Sequence, residues 1–132
     1  MKIMALDLGD AWVGVALSDP LRFFAKPYTT VGAADLENFI QEILVKEKIS
    51  IIVVGYPKTM RGLESDQTRV VVATKEKLEA LYPTVQWVLW DERLSSKQAR
   101  KIKNPKNKEE KLQQHAIAAA IILESYLPFS NS

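Results

Sequence analysis

The sequence predicts an α/β domain: a mixed five-stranded sheet, a three-strand antiparallel meander extended by two parallel strands, with helices on both faces. Three observations predict it. Lys2 to Asp19 (KIMALDLGDAWVGVALSD) reads as two apolar strands around a tight turn. Ile49 to Gly55 (ISIIVVG) is a continuous, β-branched apolar run, the signature of a strand covered on both faces. From Asp35 onward helical and strand-like patterns alternate, which places helices over the faces of a sheet rather than in a bundle.

The elements follow in order. Ile3 to Leu6 is apolar, Asp7 interrupts, and Gly9 turns the chain into the second apolar run, Trp12 to Leu17. Phe23 to Thr30 (FFAKPYTT) reads as a third strand, and Pro27 assigns it to an edge, because proline has no N–H for a central ladder. Asp35 to Lys48 is the clearest helix: Leu36, Phe39, Ile40, Ile43 and Leu44 form one apolar stripe. Ile49 to Gly55 is the central strand, stopped by Tyr56-Pro57, and Lys58 to Asp66 is a polar loop. Ser65 is placed to cap a helix from Asp66 to Leu81, with Val70, Val71, Ala73, Leu78 and Leu81 inward and Pro83 beyond its end. Val85 to Trp90 is the fifth strand. Ser95 and Gln98 have capping-box spacing for a short helix, Asn104 to Lys108 is an exposed turn, and Lys111 to Leu127 is the last helix. Its Ala116–Leu123 portion is apolar nearly all round and is expected against the sheet, with the tail from Pro128 frayed.

The 132 residues read as a single domain, 1–132, with no repeat and no linker. No cysteine is present, which excludes a disulfide framework and any thiolate metal site. No apolar run reaches the roughly 18 residues of a membrane span, and the chain opens on a strand rather than a signal peptide, so no membrane partner and a cytosolic location are expected. Net charge is only +2, but Arg93 to Lys111 holds eight Lys/Arg against two acids, a local +6 on a body of −4. Such an arm points to a polyanionic partner. No Walker loop, H-E-x-x-H or G-x-S-x-G is present.

Sites in such sheets form at the carboxyl ends of strands. Asp7, Gly55-Tyr56-Pro57 and Asp91-Glu92 all stand at such ends and are expected along one edge. An unpaired buried carboxylate costs several kcal/mol, on the order of the buried-ion penalty, so Asp7 is expected to meet a metal, a cation or a backbone donor. The plainer alternative is an Asp that only stabilises the hairpin turn. Gly9 and Gly55 permit close approach of a phosphate, and Lys58 and Arg61 on the adjoining loop are candidate phosphate contacts. Arg93, Lys97, Arg100 and Lys101 are candidate backbone contacts to nucleic acid, which position a strand without reading its sequence. Trp87 and Trp90, oddly spaced, face opposite sides of their strand.

DLGDAWVGVALSDP, GYPKTMRG, DERLSS and HAIAAAIILESYL together resemble the YqgF family of Holliday-junction-resolvase-like proteins, of ribonuclease H-like fold, described as nucleases of the 5′ end of 16S rRNA precursors. The resemblance runs the length of the chain. It implies a divalent metal, Mg²⁺ or Mn²⁺, and carries an acidic site onto Asp7 and Glu92, with Asp91 adjacent. Two positions depart: Trp12 stands where the family usually has Arg, and His115, the sole histidine, where it usually has Asp. Imidazole suits Mn²⁺ better than Mg²⁺, which prefers oxygen. The expected set is Asp7 between two ions, with Glu92 and His115 completing it. The implied substrate is structured RNA, pre-16S rRNA, with branched DNA as the alternative, and the protein is a monomer or a homodimer. A rival reading is a nucleic-acid-binding module without catalysis. A nucleotide-binding protein of the actin and sugar-kinase type needs two such lobes, and 132 residues supply one.

Overall fold

A computed structural model describes residues 1–57, 65–92 and 107–130. Strands β1 (Lys2–Leu8), β2 (Trp12–Ser18) and β3 (Ala25–Gly32) form an antiparallel meander. A 3₁₀ turn (Ala33–Asp35) leads into α1 (Leu36–Lys46), then β4 (Ile49–Tyr56), α2 (Asp66–Leu81), β5 (Gln86–Asp91) and α3 (Lys108–Ser130). The sheet order is β3-β2-β1-β4-β5, with β4 parallel to both β1 and β5. This is the expected mixed sheet.

Two apolar layers hold it. Met4, Leu6, Val13, Val15, Ile52 and Val54 pack against Leu36, Ile40 and Ile43 of α1 and Val71 and Leu78 of α2. On the other face Ile3, Ala5, Ala16 and Val53 pack against Ala119, Ile122, Leu123 and Tyr126 of α3. Ile3, Met4, Ala5 and Leu6 are all fully buried, so β1 is the spine of both layers. Each large side chain so buried contributes roughly 1.5–3 kcal/mol. Trp87 joins the first layer and Trp90 the second, on opposite faces as the spacing requires.

Four expectations are corrected. β3 begins at Ala25, not Phe23, because the Asp19 carboxylate accepts the N–H groups of Phe23 (2.8 Å) and Phe24 (2.7 Å) and so removes both from the ladder. Pro27 does lie on an edge strand, where the register shifts between Val15 and Ala16. In α2 the Ser65–Thr68 capping box forms, but the inward stripe is Thr68, Val71 and Leu78; Val70, Ala73 and Leu81 are exposed. Their spacing turns them between about a quarter and a half of a turn off that stripe. The last helix starts at Lys108, where the Asn107 side chain accepts the Glu110 N–H at 2.9 Å, and so takes in the end of the expected turn. It continues through Pro128 to Ser130, and Phe129 packs its ring 5.0 Å from Trp90 instead of fraying. The short helix expected from Ser95 lies outside the described residues.

Candidate active site

Asp7 sits one residue before the end of β1, the middle strand of the sheet. Strand alternation sets it on the face of Ile3 and Ala5, the face covered by α3. Its partner on β2 is Gly14, and the β1–β4 register, carried one step past Leu6–Val54, brings Gly55 to its other side. The carboxylate is therefore flanked on both neighbouring strands by residues without side chains.

Each glycine admits a different group. A Cβ on Gly14 would lie 1.8 Å from the His115 carbonyl oxygen, so the backbone of α3 crosses β2 in contact with the strand itself. A Cβ on Gly55 would meet Ile122 Cδ1 at 2.6 Å and the Glu92 Cγ and Cδ at 3.2 Å. The Glu92 carboxyl thus leans over β4 on the same face as Asp7. Sequence reasoning gave Gly14 no role. The signal available was a glycine inside an apolar strand, which marks close approach of another backbone.

Burial raises the Asp7 carboxyl above its usual range, and the nearby positive charge of His115 partly offsets that rise. His115 is half-buried and stands two turns into α3, not at the helix start. The structure therefore brings Asp7, Glu92 and His115 to one face of one sheet end. Asp91 is not with them: it pairs with Tyr56, and alternation along β5 turns it to the face of Trp87 and Leu89.

The two glycines expected to approach phosphate each also make a close contact within the protein. The Gly9 N–H donates to the Trp12 carbonyl at 3.1 Å, and that oxygen lies 2.7 Å from where a Gly9 Cβ would stand, so the β1–β2 turn itself requires glycine. Gly55 is buried beneath Ile122 and Glu92, whose carboxyl end makes a close approach there. Lys58, Arg61, Arg93, Lys97, Arg100 and Lys101 lie outside the described residues.

The donor set suits a divalent cation that accepts both oxygen and nitrogen, as Mn²⁺ does: two carboxylates from separate strand ends, one held at a desolvation cost, and an imidazole. Among the described residues, however, no three His, Asp or Glu side chains are grouped tightly enough to form a finished metal cage. None of their helices is long and apolar enough to cross a membrane.

The fold and this sheet end define a ribonuclease H-like α/β domain. Thermus thermophilus RuvC superposes with a TM-score of 0.58 at 15% identity, over 98% of this chain and 97% of that one. Fowlpox virus resolvase, in a complex with Holliday junction DNA, does so with a TM-score of 0.57 at 14% identity over the full length of both. The chain belongs to the RuvX family, described as Holliday junction resolvase, which it matches over residues 1–128. A Rubrobacter xylanophilus protein named "Putative pre-16S rRNA nuclease" is 35% identical, covering 96% of this chain and 91% of the relative. A Chlorobaculum tepidum protein of the same name is also 35% identical, covering 96% and 92%.

Proposed function

We propose that this protein is a divalent-metal-dependent nuclease that processes the 5′ end of pre-16S rRNA in the cytosol. The observation that carries the reading is the placement of Asp7: a carboxylate near the end of the central strand, walled by Gly14 and Gly55, with Glu92 and His115 on its face. The names of the relatives supply the substrate.

In this reading Asp7 and Glu92 would hold Mg²⁺ or Mn²⁺, with His115 as a third donor. A divalent cation so held supplies positive charge to the phosphoryl oxygens and to the attacking water. Asp7, desolvated, offers a carboxyl oxygen that water does not screen. Glu92 adds a second carboxylate oxygen from the neighbouring strand. Lys58, Arg61 and the arm from Arg93 through Lys97, Arg100 and Lys101 neutralise backbone phosphates, so binding weakens steeply with salt.

Branched DNA is the second reading, favoured by the family description. A binding module without catalysis is the third, and the unfinished metal cage favours it. Cleavage of a labelled 16S precursor 5′ leader and of a four-way DNA junction, with Mg²⁺ or Mn²⁺, separates the three. Wild type is expected to cut the leader and Asp7→Asn to be silent. Preferential cutting of the junction makes the substrate DNA. Silence of wild type together with cutting by His115→Asp makes the natural protein a binder.

A further inference from the structure

Trp87 and Trp90 are consumed by the core. Trp87 is 7% exposed and donates its indole N–H to the Tyr82 carbonyl at 2.9 Å. Trp90 donates to Ser125 Oγ at 2.7 Å and packs edge-on against Tyr126. Trp12 differs on every count. It is half-buried, it belongs to neither apolar layer, and its indole N–H has no hydrogen-bond partner among the described residues. The Lys108 ammonium stands over the ring, 6.0 Å from its centre.

Its position is fixed with respect to Asp7. Trp12 is two residues before Gly14, the strand partner of Asp7, and so lies on the same face of the sheet. Strand geometry puts the two Cα atoms about 8 Å apart. The Trp12 carbonyl also closes the β1–β2 turn by accepting the Gly9 N–H, which ties the tryptophan backbone to the strand that carries Asp7. A large aromatic ring, unclaimed by the core and about one nucleotide from a catalytic carboxylate, with an ammonium over it, is the equipment of a base-stacking site.

We propose that Trp12 stacks an unpaired nucleobase beside the phosphate addressed at Asp7, and that Lys108, which lies near the ring in the free protein, pairs with the adjoining backbone phosphate. This rests on the nuclease reading above and narrows its substrate to nucleic acid that is single-stranded next to the cut. A base held in a duplex keeps its own stacking partners and gains nothing from the indole, whereas a splayed base exchanges water for the ring.

The test is binding without metal, so that cleavage plays no part. Three fluorescent probes are titrated into wild type: a single-stranded RNA decamer, the same decamer with abasic residues throughout, and a blunt RNA hairpin. The unmodified decamer is expected to bind roughly 5- to 150-fold more tightly than the abasic strand, the range of one stacked base, and to quench indole emission. Trp12→Ala should lose that advantage and the quenching, Trp12→Phe should retain part of the affinity, and Lys108→Gln should lower the salt slope by about one unit while leaving the abasic contrast intact. The abasic comparison uses unaltered protein, so a poorly folded variant does not decide it. Equal binding of the two strands by wild type overturns the stacking proposal and leaves the nuclease reading standing. Absence of binding to all three probes overturns both.

Discussion

The carbonyl oxygen of His115 occupies the place where Gly14 would carry a side chain, 1.8 Å from its Cβ position. The obstacle is helix backbone, which cannot rotate aside as a side chain can. Gly14→Ala must therefore lift α3 off β2 or distort the strand, at a cost of about 3 kcal/mol or more. Because Asp7 is the strand partner of Gly14, the same displacement moves His115 away from it. Urea unfolding is expected to show the loss of stability, and cleavage is expected to disappear with every acidic residue still present. A Gly14→Ala variant as stable as wild type would mean that α3 does not seat here in solution.

Asp7→Asn is expected to stabilise the protein while abolishing its activity. Burial raises the folded-state pKa of Asp7 above its ordinary 3.8, so the native state holds the proton more tightly than the unfolded state does. The contribution of Asp7 to stability is thus fully present below that ordinary value and is lost as pH rises through the raised one. Asparagine keeps the shape and carries no charge. In chelating buffer at neutral pH the variant should gain roughly 0.5–2 kcal/mol, the range of a relieved functional strain, and the gain should vanish below about pH 4. Added Mn²⁺ should raise the Tm of wild type only.

Much of this architecture was legible because hydrophobic period and chain order dominate it. The β-branched run at Ile49 and the stripe of α1 left little choice, and Ser65 announced its helix. What escaped were relations that sequence spacing does not encode. Phe23 and Phe24 look like strand residues, and only the Asp19 carboxylate, four and five positions back, withdraws their amides from the ladder. Val70 and Leu81 are apolar but fall off the face that α2 presents, while the polar Thr68 is buried because its hydroxyl contacts the Pro57 carbonyl and the Ser65 cap. At the site, Asp7 and Glu92 stood out as carboxylates at strand ends. Asp91 shared that signal and was separated from them only by the alternation of β5. The protein contacts of Gly9 and Gly55 are not legible from spacing, and neither is that of Gly14, which faces a helix a hundred residues away.

Gly55→Ala separates stability from function. The obstacle nearest its Cβ is Ile122 Cδ1 at 2.6 Å, the tip of a flexible side chain, and the next is the Glu92 carboxyl end at 3.2 Å. The overpacking cost should be about 1–3 kcal/mol, most of it recovered by Ile122→Val, which shortens the obstructing chain. The Glu92 side chain must still give way by a few tenths of an ångström, which shifts its carboxyl relative to Asp7. The double variant should therefore melt near the wild-type temperature and still cleave slowly, with weakened Mn²⁺ dependence. Recovery of full cleavage along with stability would remove Glu92 from the site.

Acid is expected to loosen the β2–β3 loop. The Asp19 carboxylate accepts backbone N–H groups from Leu21, Phe23 and Phe24, and the bond from Phe24 does most to hold its pKa below the ordinary 3.8. Here the sign is opposite to that of Asp7. The stabilisation is present above the unfolded value and is lost as pH falls through the lowered folded one. Asp19→Asn keeps one carbonyl oxygen but loses the charge and the second acceptor, and it should behave near neutrality as wild type does in acid. Amide exchange at Phe23 and Phe24 should speed up in the variant at pH 7, and in wild type the protection of these amides should fall only below about pH 4. Cleavage should be unchanged, because the loop joins the end of β2 to the start of β3, at the opposite end of the sheet from Asp7. Loss of activity in Asp19→Asn at full stability would show that the two ends of the sheet are coupled.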